Sequence, residues 1–157
     1  MDIIKPDMKP GKDFIGLTVG AIILNEKGEI LLIKRKSNTD KNKTYVGKGS
    51  WSTVGGKVDF GESVEEALKR EVKEEIGVEV QIEKFIGYTE QILENGNTHW
   101  FLLHFLCRIG EDAKIMEPEK IEKVEWFPVN NIPENVVFEH VIRPLNLLGY
   151  MKEGDNI

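Results

Sequence analysis

Residues 56–78 read GKVDFGESVEEALKREVKEEIGV, and the order of turn, capped helix and clustered acids in this stretch decides the fold. On an α-helix, residues three and four apart share a face. At about 100° per residue, Glu71, Glu74 and Glu75 crowd a single arc of roughly 100°. Like charges at such spacings repel by roughly 0.2–0.5 kcal/mol per pair. A face of this kind suits a hard divalent cation, which takes oxygen ligands; a salt-rich solvent face is the alternative.

The helix is specified at both ends. Ser63 is placed as its N-cap with Glu66 completing a capping box, and Gly77 is placed for a left-handed C-terminal cap. Val64, Leu68, Val72 and Ile76 form an apolar stripe with Ala67 beside it. The acidic arc borders this stripe, which sets it at the edge of the core. Arg70 stands four residues before Glu74 and can hold a carboxylate without binding metal.

The pattern G-x5-E-x7-R-E-V-x-E-E-x-G-V runs from Gly56 through Glu62, Arg70, Glu71, Glu74, Glu75 and Gly77. It resembles the signature of the Nudix hydrolases, with every fixed position filled. That resemblance implies an α/β fold, an α/β/α sandwich around a mixed β-sheet, in which a loop–helix–loop binds Mg²⁺, with Mn²⁺ as substitute, and cleaves a nucleoside diphosphate linked to another group. By position it implies that Glu71, Glu74 and Glu75, with the carbonyl of Gly55, are metal ligands. Glu62 and Arg70 match residues that orient the loop and the acids. Lys57 falls where triphosphate-specific members place a phosphate-contacting lysine, and Arg35 matches a strand-end arginine that contacts phosphate. The Pro usual before the Gly-Gly is Val54 here, which removes a loop stiffener.

The chemistry asks for such a cluster. A pyrophosphate linkage carries several negative charges that repel a nucleophile; divalent ions offset them and acidify a bound water, and a carboxylate can take the proton. Phosphoryl transfer rests on positioning and electrostatics and needs no Ser, Cys or His nucleophile. In the resembled family a further Glu outside the signature often binds metal or serves as base. MEPEKIEKVEWF (116–127) offers Glu117, Glu119 and Glu122, with Glu119 the best match by its distance to Trp126. Phe138 and His140 fall where similar nucleotide-sanitising enzymes contact the base. Trp51, Trp100 and Trp126 are further aromatic candidates, with packing the expected role of Trp51 and Trp126. His104, in an apolar run, reads as a hydrogen-bonded core residue.

The chain has 157 residues, 40% apolar and 31% charged, which suits a single domain. The formal charge of −6 leaves no electrostatic footprint for polymeric nucleic acid. The lone Cys107 excludes an internal disulfide. No apolar run approaches the ~20 residues of a membrane span, and the N-terminus lacks a signal-peptide core. The expectation is a cytoplasmic monomer or homodimer with a nucleotide substrate.

Strands are expected over residues 17–24, 29–35, 78–88 and 121–129, and a hairpin over 89–109 with an Asn95-Gly96 turn. Residues 1–14 read as an extended arm, and 36–51, rich in Lys and Gly, as a long polar loop. A helix is expected over 134–150, ended or kinked at Pro144. The ILENGN segment (92–97) lacks the Pro of ADP-ribose hydrolases and the Tyr of dinucleoside polyphosphate hydrolases. The GGKVDFGES start and the EPEK…EWFPVNNIP tail look more like MutT-like pyrophosphatases, which cut a nucleoside triphosphate to monophosphate and pyrophosphate. Hydrolysis of ADP-ribose or a dinucleoside polyphosphate, a non-hydrolytic nucleotide-binding regulator, and an isopentenyl diphosphate isomerase are the alternatives. The intact glutamate set argues against the regulator, and the want of an added acid–base pair against the isomerase.

Overall fold

The computed structural model describes residues 7–36, 50–93 and 97–150. In chain order the elements are β1 (Gly16–Ile23), β2 (Glu29–Arg35), β3 (Trp51–Ser52), β4 (Val54–Lys57), α1 (Val64–Ile76), β5 (Val80–Leu93), β6 (Thr98–Ile109), β7 (Ile121–Pro128) and α2 (Phe138–Leu147). They form a four-stranded sheet, β4-β1-β6-β5, and a three-stranded sheet, β3-β2-β7. β1 runs parallel to β6, while β4 and β5 are antiparallel to their neighbours, so the larger sheet is mixed.

Alternation along β1 and β2 builds the sandwich. Val19, Ala21, Ile23, Leu31 and Ile33 turn to one side and pack with Ala67, Leu68, Val72 and Ile76 of α1. Ile22, Leu24, Ile30 and Leu32 turn to the other and pack with Val141, Ile142 and Leu145 of α2. A strand buried on both faces reads as a continuous apolar run, which is how 17–24 reads in the sequence. The expected α/β/α arrangement is the observed one. The acidic helix edge therefore lies beside the β4 end of the larger sheet.

α1 carries the expected caps. Ser63 Oγ accepts from Glu66 N at 3.1 Å and Glu66 Oε2 accepts from Ser63 N at 2.8 Å, and Gly77 is left-handed at φ 71°. α2 is shorter than 134–150 and contains Pro144 rather than ending there. Pro144 has no N–H for the carbonyl of His140, one helical turn earlier. Thr53 supplies the missing donor, its hydroxyl reaching that carbonyl at 3.2 Å. The second helix is thus pinned to the strand pair that leads into the signature.

Two expectations are corrected. Residues 7–14 do not lie extended: Lys12 N and Asp13 N both donate to Lys9 O, and Gly11 N donates to Phe14 O at 2.7 Å. A left-handed Gly11 (φ 80°) permits this turn, and the indole of Trp100 gives it a surface to close on. The stretch after the polar loop contains two short strands, β3 and β4, not foreseen in the sequence. The Asn95-Gly96 turn lies outside the described residues, as does most of the 36–51 loop with Lys41, Lys43 and Lys48, although β5 and β6 pair antiparallel. No helix among the described residues is long and apolar enough to cross a membrane.

Thr53→Val should leave the His140 carbonyl without its donor while keeping side-chain shape. Urea unfolding should show a loss of about 1–2 kcal/mol with an unchanged m-value; an unchanged midpoint would mean the hydroxyl does not hold the helix.

Candidate active site

The site is built on two glycines and two arginines. Gly55 and Gly56 lie in β4, opposite Gly20 and Val19 of β1. A Cβ on Gly55 would run into the Val19 carbonyl, and one on Gly56 would strike the carboxylate of Glu71. The glycines therefore let the strand approach β1 closely and leave the space that Glu71 fills.

Arg70 gathers the loop and the helix. Its Nε donates to Glu62 Oε2 at 2.7 Å and its Nη2 to Glu62 Oε1 at 2.9 Å, a bidentate pair. Nη1 donates to Glu71 Oε1 at 2.9 Å and to Glu74 Oε2 at 3.3 Å. Nη2 also reaches the Lys57 carbonyl at 3.0 Å, with Asp59 at 3.5 Å. The guanidinium hydrogen bonds, with a backbone bond from Asp59, hold the Glu62 carboxyl down at about 2.

Glu75 is treated differently. It is 2% exposed; Gly55 N donates to its Oε1 at 2.9 Å, and Arg35 lies 3.0 Å from its Oε2. Burial pushes its pKa up to about 7, against the opposing pull of Arg35 and the Gly55 amide, and the charges of Glu71 and Glu117 push the same way. Burial also raises the pKa of Glu71, opposed by Arg70 and assisted by Glu74 and Glu117.

The structure places the remaining candidates unevenly. Glu117 is half-buried and pairs with Lys120 at 3.3 Å, and its charge is near enough to raise the pKa of both Glu71 and Glu75 slightly. It is held at the head of a turn whose Lys120 and Ile121 amides donate to its carbonyl at 2.9 Å. Glu119 and Glu122 are exposed. Arg35, expected at phosphate, is engaged by Glu75. His140 is half-buried, and burial, with smaller effects of His104 and Arg35, lowers its pKa to about 3, leaving it neutral. Phe138 is 42% exposed with the Arg143 guanidinium 5.4 Å from its ring centroid. Lys57 is exposed beside Trp100, its ammonium 5.6 Å from the indole centroid.

Trp51, Trp126, His104 and Cys107 take packing roles. Trp51 meets Phe127 edge to face, and Trp126 packs on the α1-side core. His104 Nε2 and Thr89 Oγ1 share a 2.8 Å hydrogen bond, and Cys107 is buried. The pairing of Arg35 with Glu75 and the nearness of Glu117 to Glu71 and Glu75 were not evident in the sequence. Both depend on contacts between segments far apart in the chain.

Among the described residues, no three His, Cys, Asp or Glu side chains already surround a common point where a metal would sit. Glu71 and Glu74 are turned to Arg70, and Glu75 to Arg35 and Gly55. The donors themselves fit a hard cation: adjacent carboxylates, one buried, in a niche that a Cβ on Gly56 would close.

Residues 15–144 match the sequence profile of the NUDIX domain. An ADP-ribose pyrophosphatase of Methanocaldococcus jannaschii is 34% identical over 119 residues, covering 75% of this chain and 64% of the relative. An NAD-capped RNA hydrolase NudC of Stutzerimonas stutzeri is 31% identical over 117 residues, covering 74% of this chain and 38% of the relative. The chain thus spans roughly a third to two thirds of the length of these curated relatives. The crystal structure of a MutT NUDIX hydrolase from Burkholderia pseudomallei superposes with a TM-score of 0.73 at 28% identity, covering 85% of this chain and 98% of that one.

The raised pKa of Glu75 has a stability consequence. A carboxyl whose folded pKa lies above its unfolded value favours the fold when protonated, and that contribution is lost as pH rises from about 4.5 to about 7. His104 and His140, lowered to about 4 and about 3, act in the opposite sense as pH falls below 6.5. The difference between wild type and Glu75→Gln isolates the carboxyl. In metal-free buffer the variant should gain on wild type through this window, by on the order of 3 kcal/mol at most. A pH-independent difference in melting temperature would contradict the burial-driven shift.

Proposed function

The chain belongs to the NUDIX domain family, and from that premise we propose that it hydrolyses a phosphoric anhydride bond in a nucleoside triphosphate. The products in this reading are a nucleoside monophosphate and pyrophosphate, and the enzyme works with Mg²⁺ or Mn²⁺ in the cytoplasm, as a monomer or homodimer. The observation that carries the reading is the arginine-bridged set Glu71, Glu74 and Glu75, tied through Arg70 to the backbone of the exposed Lys57. Acids of this kind repel a polyanionic substrate on their own; together with a cation and a lysine they suit one.

In this reading Glu71, Glu74 and Glu75, with the carbonyl of Gly55, hold the ion. Bound there, it supplies charge neutralisation at the anhydride oxygens and a more acidic water. Arg70 fixes the carboxylates to the loop, and Lys57 meets the phosphate chain. Glu117, rather than the exposed Glu119, is the carboxylate assigned to take the proton, because its charge reaches Glu71 and Glu75. Arg35 positions Glu75 and would contact the phosphate chain from the same side. His140, neutral and close enough to feel Arg35, and Phe138, partly exposed at the start of α2, line the base side.

A second reading, ADP-ribose or another nucleoside diphosphate-linked compound, is favoured by the named activity of the Methanocaldococcus relative. NAD-capped RNA, named for the NudC relatives, fits the formal charge of −6 less well.

The test is a panel of nucleoside triphosphates, oxidised purine triphosphates, ADP-ribose and dinucleoside polyphosphates with Mg²⁺, read by chromatography. A triphosphate should give monophosphate and pyrophosphate, and excess EDTA should abolish turnover. In ¹⁸O-water the label should enter pyrophosphate, from attack at the β-phosphorus. Turnover confined to ADP-ribose would replace the first reading with the second, and full activity in EDTA would overturn both.

A further inference from the structure

Lys57 and Trp100 sit on different strands, and the central strand lies between them. β1 pairs with β4 on one side, Thr18 opposite Lys57, and with β6 on the other, Gly16 opposite Trp100. Strands are spaced about 4.8 Å apart, so the two backbones are about 10 Å from each other. An ordinary side chain at position 16 would stand in the path. A Cβ there would fall within the six-membered ring of the Trp100 indole. Gly16 thus lets the indole lie across β1 toward Lys57.

The N-terminal turn packs on the same ring. A Cβ on Gly11 would also strike the indole, and Gly11 is left-handed at φ 80°. The carbonyl of Gly11 accepts from His99 N at 2.8 Å, which ties the turn to the residue preceding Trp100. The Lys57 ammonium lies 5.6 Å from the indole centroid, and the Lys57 carbonyl accepts from Arg70. The lysine is therefore fixed by its backbone to the acidic cluster and by its side chain to an aromatic plane. A cation over an indole face is held by the ring quadrupole.

We propose that Trp100 is a positioning residue for Lys57: seated on Gly11 and Gly16, its indole holds the ammonium where the phosphate chain of the substrate arrives. The turn around Gly11 then belongs to the substrate site, although it lies far from the signature in sequence. The inference rests on the reading of Lys57 as a phosphate contact. It adds that the position of that lysine is set by an aromatic ring two strands away. Without the ring the long lysine stem samples more rotamers, and the cost falls on binding the phosphate chain rather than on the chemical step.

The experiment uses the full chain and two probes, inorganic tripolyphosphate with Mg²⁺ in titration calorimetry and the best nucleotide in steady-state kinetics. Trp100→Leu should weaken tripolyphosphate binding and raise KM by about two- to fivefold, with kcat within twofold. Trp100→Phe, which keeps a ring, should recover much of the loss. In a Lys57→Met background, Trp100→Leu should add nothing further. An effect of the same size in both backgrounds, or a kcat that falls in step with the rise in KM, overturns the proposal. Should Trp100→Leu fail to fold, tryptophan emission decides. Tripolyphosphate should change the emission of wild type, and both Lys57→Met and Trp100→Phe should remove that change; an undiminished change in Lys57→Met overturns the proposal. Failure of tripolyphosphate to bind the wild type at all removes the phosphate reading of Lys57 itself, whereas binding without Trp100–Lys57 coupling sinks only this inference.

Discussion

The guanidinium of Arg70 is the contact on which the site depends. Its nitrogens meet Glu62, Glu71, Glu74 and the Lys57 carbonyl, so one side chain joins the loop before α1 to the acidic face of α1. A planar fork with five N–H donors can do this; a lysine ammonium cannot satisfy the same set at those angles. Remove the fork and two neighbouring carboxylates on one helical arc face each other with the loop unanchored. Glu75 is the complementary case. It is the one buried acid of the cluster, and it is made tolerable by Arg35 from β2 and the amide of Gly55. Two arginines from distant segments thus pair with all three acids and partly offset their repulsion. The balance is local enough for a divalent cation to displace it.

The fold serves that balance. The Gly55–Gly56 approach to β1 brings the strand under Glu71. Thr53, two residues earlier, anchors α2 by answering the carbonyl that Pro144 leaves open. α2 and the acidic side of α1 are consequently tied to the same short stretch of chain. Displacing β4 would disturb Glu71, Glu75 and the contact to α2 at once.

Much of this was legible in the sequence where the determinants are local. The caps of α1, its apolar stripe and the clustered glutamates follow from spacing, and β1 and β2 lie where strands were expected. What was not legible depends on pairing across the chain. β4 was missed because a Val-Gly-Gly-Lys strand has little intrinsic preference for extension and exists through its partner β1. The turn around Gly11 read as an arm because nothing near it announces Trp100. The pairing of Arg35 with Glu75 joins residues forty apart in the chain, a contact the sequence does not advertise. Counting from Trp126 favours Glu119, whereas in the structure Glu119 is exposed and Glu117 heads a turn near enough for its charge to act on Glu71 and Glu75.

The central claim is that the charge arrangement, held by Arg70, carries the hydrolysis. The most direct measurement is the kcat of Arg70→Lys on the best substrate at saturating Mg²⁺, with unfolding followed in parallel. The variant keeps the positive charge and loses the fork. The account predicts a fall in kcat of about 10²-fold or more in a protein that still unfolds cooperatively. A folded Arg70→Lys enzyme with kcat within a few-fold of wild type would contradict it.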